Sequence, residues 1–273
     1  MRLPAWFIGE FIGTFLLVFF GCGSVCAAVI TGAQVGVFQV AIVWGLGITM
    51  AIHLTSSLSG SHLNPAVTVA LAAWRGFPKA RVPLYIAAQM LGAFAASAVL
   101  YVIFRDALAV YEASHQIVRG AAGSEATAMI FGEYFPNPGG LPLTDAVRLT
   151  MSHGSAFAAE VIGTAVLLFV IFGLTDERNP GRPVILTAAS IGLTVTLLIS
   201  LLGPLTMACF NPARDLAPRL FSSLAGWGGV PFTVNGLGWL TVYIVAPLLG
   251  GVGGAGLYER CVRPAFSSGE AAH

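Results

Sequence analysis

The sequence is poor in charge. Its 13 Lys and Arg and 12 Asp and Glu make up 9% of 273 residues, against about 25% in a typical soluble domain. That scarcity excludes a disordered chain, a coiled coil and a nucleic-acid binder, which need charge for solvation or phosphate contact. It also argues against a soluble enzyme, whose surface so few polar groups could not cover. Charge of neither sign dominates: the formal net is +1, which selects no partner. Cysteine is scarce too. Cys22, Cys26 and Cys209 lie in apolar stretches or beside a motif, and Cys261 lies at a helix end. No spacing among them suggests a metal site or a disulfide framework. What is abundant is apolar surface, at 56% of residues with a mean hydropathy of +0.84. The class this leaves is a polytopic membrane protein.

A spanning helix needs about 20 mostly apolar residues. Six stretches qualify: 6–28, 36–58, 83–104, 154–174, 183–202 and 238–258. The first carries one charge, Glu10, and the fourth carries one, Glu160; the rest carry none. Arg2 before an apolar run imitates a secretory leader, but the pattern recurs deeper in the chain. Gly9-Glu10-Phe11-Ile12-Gly13-Thr14 returns as Ala159-Glu160-Val161-Ile162-Gly163-Thr164, 150 positions later (160 against 10). Asn64-Pro65-Ala66 returns as Asn211-Pro212-Ala213, 147 positions later (211 against 64). Two matches at nearly one offset indicate an internal duplication. Each half holds three long apolar segments, so the second half enters the membrane inverted relative to the first.

The expected organisation is one transmembrane domain over 1–273. Repeat one covers about 5–104, an extracellular linker about 105–153, repeat two about 154–261, and a cytoplasmic tail 262–273. The linker concentrates charge and contains Pro136-Asn137-Pro138-Gly139-Gly140, a turn signal. Arg2, Arg75, Lys79, Arg81, Arg178, Arg182, Arg260 and Arg263 gather on one side. By the positive-inside bias that side, with both termini, is cytoplasmic.

Between the second and third long segments of each half lies a short one. Residues 64–74 would make a helix roughly 16 Å long, about half of a ~30 Å hydrocarbon core. Asn suits the N-cap and Pro the first helical position, so Asn-Pro-Ala reads as a helix start made twice. Half-helices entering from opposite faces can bring their positive ends together near the midplane. Asn64 and Asn211 would then present amide donors to one point.

At these residues the sequence resembles the major intrinsic protein family, the aquaporins and glycerol facilitators. Ser59-Gly60-Ser61-His62-Leu63-Asn64-Pro65-Ala66 looks like the family's first box. Gly203-Pro204-Leu205-Thr206 with Asn211-Pro212-Ala213-Arg214-Asp215 looks like the second. The resemblance covers nearly the whole chain. It implies an all-α membrane protein, with six transmembrane helices and two re-entrant half-helices in an inverted repeat forming a right-handed bundle. It also implies a homotetramer in a lipid bilayer. Asp215, Arg219, Pro247-Leu248 and the linker run Ser114-His115-Gln116-Ile117-Val118-Arg119-Gly120 look like the glycerol type.

Spacing from the boxes carries over the family's narrowest ring to Trp44, Ile199, Ala208 and Arg214. Trp44 and Arg214 match the glycerol pattern. Ile199 stands where glycerol facilitators have Gly, and Ala208 where they have an aromatic. Trp, Ile, Ala and Arg together resemble the ring of plant nodulin-like channels, which pass glycerol and metalloid acids. The resemblance therefore implies a passive channel for glycerol and similar small neutral solutes that also passes water and excludes protons and ions. A channel mainly for water, or for arsenite, boric or silicic acid, is the alternative within the class.

In physical terms Trp44 and Ile199 can face a solute's carbon edge, while Arg214 and backbone carbonyls before each box face its hydroxyls. Arg214 and the half-helix ends would repel cations. Glu10 and Glu160 read as acceptors that hold the pore loops, with a proton relay as the rival role. His62 and His53 suit packing or a loop hydrogen bond better than a pH gate. His115 and His153 form no metal cluster, and no cofactor is expected. Gly9 with Gly13, Gly92 with Ala96, and Gly250 with Gly254 suit close helix packing. An ion-coupled secondary transporter is the rival of another class, and it would need a titratable centre that this chain lacks. An enzyme would need a nucleophile beside a base, which is absent too.

Overall fold

The computed structural model describes residues 3–33 and 36–266. Arg2 of the basic set and residues 267–273 of the expected tail lie outside the described residues. Among the described residues there is no strand. The long helices are α1 (Ala5–Thr31), α2 (Val37–Ser59), α4 (Val82–Ser114), α7 (His153–Leu174) and α8 (Thr187–Thr206), with half-helices α3 (Pro65–Trp74) and α9 (Pro212–Ser222). The link after α4 contains short turns α5 (Glu125–Ala128) and α6 (Asp145–Arg148), and α10 (Val230–Thr233) follows α9. The last span joins α11 (Gly238–Leu240) and α12 (Ala246–Leu257) through the π-helical turn Thr241–Val245. Among the described residues six helical spans are long and apolar enough to cross a membrane, and Pro65–Trp74 is a shorter apolar helix.

Two boundaries differ from the sequence reading. Helix α4 continues to Ser114, ten residues beyond the expected end at 104. Arg105 and Asp106 are exposed, but Leu108 and Glu112 turn inward and are buried. Leu108 packs with Cys26, Ile130, Tyr134 and Trp227, so contact with the linker, not lipid, sustains the added turns. At the other end, helical turns continue through Arg263–Phe266, so the first residues assigned to the tail belong to the last span.

The packing follows the duplication. Helix α1 lies against α2 and α4, as α7 lies against α8 and α12. Helices α2 and α8 meet across the centre. Each half-helix packs on the last helix of the other half, α3 on α12 and α9 on α4. Glycine makes the matched contacts possible. A Cβ on Gly92 would strike the carbonyl of Phe11, and one on Gly250 would strike the carbonyl of Val161. These backbones touch directly, as small residues allow in membrane helices.

Candidate functional site

The half-helices begin as their sequences require. Asn64 and Asn211 have extended backbone. Asn64 Oδ1 accepts from the Ala66 N–H at 2.8 Å, and Asn211 Oδ1 accepts from Ala213 and Arg214 at 3.1 and 3.3 Å. Pro65 and Pro212 occupy the first helical positions. The amide nitrogens then cross the midline. Asn64 Nδ2 donates to the Phe210 carbonyl, and Asn211 Nδ2 donates to the Leu63 carbonyl, each at 2.8 Å. The sequence placed amide donors from both halves at one point, and each spends one N–H on the opposite loop. One N–H remains on each, and both residues line the central cavity.

The approach to each asparagine repeats as well. Ser61 and Leu63 have φ of 50° and 52°, and their counterparts Ala208 and Phe210 have 60° and 52°. Such left-handed residues cost energy without support. The two buried glutamates supply it. Glu10 accepts from the His62 and Leu63 N–H groups at 2.9 and 2.8 Å, and from Gln89 at 2.7 Å. Glu160 accepts from Cys209 and Phe210 at 3.0 and 2.9 Å, and from the Thr206 hydroxyl at 2.6 Å. Neither lines the larger cavity; their bonds to backbone N–H groups hold the two loops. His62 is wedged against Phe77 and Tyr85 with ring centroids at 4.7 and 4.9 Å, and Nδ1 lies 3.2 Å from Thr68 Oγ1. Its ring is packed there, and His62 also lines the larger cavity.

Two cavities lie end to end. The larger, about 440 Å³, runs from Arg75 and Thr175 past both asparagines. The smaller, about 280 Å³, is bounded by Val25, Asn137 and Met207. Trp44, Ile199 and Arg214 line both, so the three meet where the cavities join. Ala208 lines only the larger one. The Arg214 guanidinium sits 4.2 Å from the Trp44 ring centroid. The cavity wall is divided: Leu17, Ile48, Ile191 and Val195 are apolar, while Asn64, Asn211 and Arg214 present donors.

Residues missed by the sequence reading complete the site. Glu133, from the linker, forms a buried ion pair with Arg214. Its N–H donates to Asp215 Oδ1 at 2.7 Å, and its carbonyl accepts from Arg219. Asp215 also accepts from Arg219 Nε at 3.0 Å, so the two residues that look like the glycerol type are partners. Gln89 and Tyr243, which donates to the Thr206 carbonyl at 3.2 Å, were also unannounced: each bonds across the fold with no local pattern. At the opposite mouth Arg75 is not a bare charge. It pairs with Glu259 at 2.7 Å and donates to the Phe172 carbonyl at 2.9 Å. Nearby, burial would raise the Asp176 carboxyl, but the Arg178 N–H, the Tyr258 hydroxyl and the charges of Arg263 and Arg75 outweigh it. Together they hold Asp176 below the usual carboxylate range. Among the described residues no His, Cys, Asp and Glu group could hold a metal ion.

Residues 3–258 match the family described as major intrinsic protein. The chain belongs to that family. It is 42% identical to the glycerol uptake facilitator protein of Haemophilus influenzae, over 95% of this chain and 94% of that one. It is 39% identical to the propanediol uptake facilitator of Citrobacter freundii, over 95% and 93%. Its fold matches the solved aquaglyceroporin of Plasmodium falciparum with a TM-score of 0.80 at 30% identity, over 96% of this chain and 98% of the other. As a member of this family it is an integral membrane channel and not an enzyme.

Proposed function

We propose that the chain is a passive channel for glycerol and similar small neutral diols and triols, also open to water. The observation that carries this reading is the junction of the two cavities at Trp44, Ile199 and Arg214. One wall is hydrocarbon and the other holds fixed donors, the two surfaces a polyol presents in reverse. The named substrates of the relatives, glycerol and propanediol, share that division. Ala208 offers no bulk at the fourth ring position and Ile199 offers no hydrogen bond, so discrimination rests on width and on Arg214. Weak binding suits conduction, since a tight site would slow exit. The channel sits as a homotetramer in a bacterial inner membrane, with both termini cytoplasmic and the linker between the halves outside.

Osmotic re-swelling of proteoliposomes tests the reading with glycerol, 1,2-propanediol and a six-carbon polyol as solutes. Glycerol and propanediol should enter far faster than into empty vesicles, and the six-carbon polyol no faster. Equal, slow entry of all three would contradict it. A second reading, passage of metalloid acids, draws on the apolar Ile199 and small Ala208. Arsenite uptake exceeding glycerol uptake in the same vesicles would favour it.

A further inference from the structure

Arg214 is the fixed cation at the junction of the cavities, and an unpaired guanidinium there would make the constriction positive. The structure gives it a counter-charge. The Glu133 carboxylate is in contact with it, and the two side chains are 0% and 5% exposed. The carboxylate does not arrive by chance of rotamer. Its backbone is fixed on both sides: the N–H donates to Asp215 at 2.7 Å, the carbonyl accepts from Arg219, and the next N–H, of Tyr134, donates to Met207 Sδ at 3.3 Å. Asp215, the other carboxylate at hand, is occupied by Arg219. Neither Glu133 oxygen has any other hydrogen-bond partner. Two cations and two anions thus form a neutral cluster behind the constriction.

We propose that Glu133 is a specificity-determining residue, the counter-ion that cancels the charge of Arg214. The ring then offers neutral solutes guanidinium donors without a net charge. This rests on the reading of Trp44, Ile199 and Arg214 as the filter. In a dehydrated, low-dielectric site a lone charge acts far more strongly than a contact pair, whose field falls off faster. The ion barrier therefore comes from dehydration and the half-helix ends. Arg214 serves it by masking Glu133 as much as by its own charge.

The decisive comparison is Arg214→Val with Arg214→Val/Glu133→Gln in proteoliposomes, reading potassium and proton leak beside glycerol entry. The single variant bares a buried carboxylate to the pore and should leak cations at least about tenfold above wild type. The double variant should leak cations no more than wild type. Equal cation leak in both variants, or none in the single variant, would overturn the proposal. If the single variant does not assemble, Glu133→Gln alone decides. The unmasked Arg214 should then raise nitrate leak several-fold over wild type, and an unchanged leak would overturn the proposal. Wild-type glycerol entry in the same experiment reports separately on the channel reading. A merely structural Glu133 would lower all fluxes without changing charge selectivity.

Discussion

Each pore asparagine does two jobs with one side chain, capping its own half-helix and strapping the opposite loop. Replacing Asn211 by Ala removes a cap worth about 1 kcal/mol and leaves the buried Leu63 carbonyl without its donor, a further cost of about 1–3 kcal/mol. We expect a lower melting temperature in detergent and reduced glycerol flux. A melting temperature equal to wild type would show that the strap carries no energy. Glu160→Ala should be worse, because two backbone N–H groups and the Thr206 hydroxyl lose their acceptor. A difference in melting temperature between the two variants reads this directly. At this scale the boxes and both glutamates were legible, because duplication displays them twice. Glu133 was not. It lies 81 residues before Arg214 in a polar linker, it has no matched copy, and nothing local distinguishes it from a solvated acid.

Among elements, the contacts of α1 with α4 and of α7 with α12 depend on the absence of a side chain at matched places. Gly250→Ala would drive a Cβ into the Val161 carbonyl, whereas Gly253, one turn of the same helix away from that seam, faces open space. The first substitution should cost about 1–3 kcal/mol, as overpacking does. Gly253→Ala should be neutral or slightly stabilising, since Ala is the better helix former. Thermal melts of the two single variants separate seam packing from helix propensity, and equal shifts would refute the packing account. The small-residue spacings pointed to these seams in the sequence. The length of α4 was hidden, because Arg105 and Asp106 look like a helix end and the burial of Leu108 and Glu112 depends on the linker folding back.

For the whole molecule, scarce charge, six apolar stretches and two matched boxes were enough to give the inverted repeat, since parity of crossings leaves no other arrangement. What sequence spacing could not give was the shape of the passage. That depends on side chains from α2, α8, α9 and the loop before α9 converging at one level, with Trp44, Ile199 and Arg214 shared by the two cavities and Ala208 just inside. Because flux through such a passage is driven only by the solute gradient, glycerol entry should be unaffected by imposed proton or sodium gradients, and coupling to either would require a different mechanism. The most direct test is stopped-flow re-swelling under a glycerol gradient, comparing wild type with Ala208→Trp. Fast glycerol entry by wild type, cut at least about tenfold when Trp fills the place of Ala208, is the predicted result. Glycerol entry no faster than in empty vesicles, with water still passing quickly, would contradict it and mean that Ile199 and Trp44 already close the ring to a three-carbon polyol.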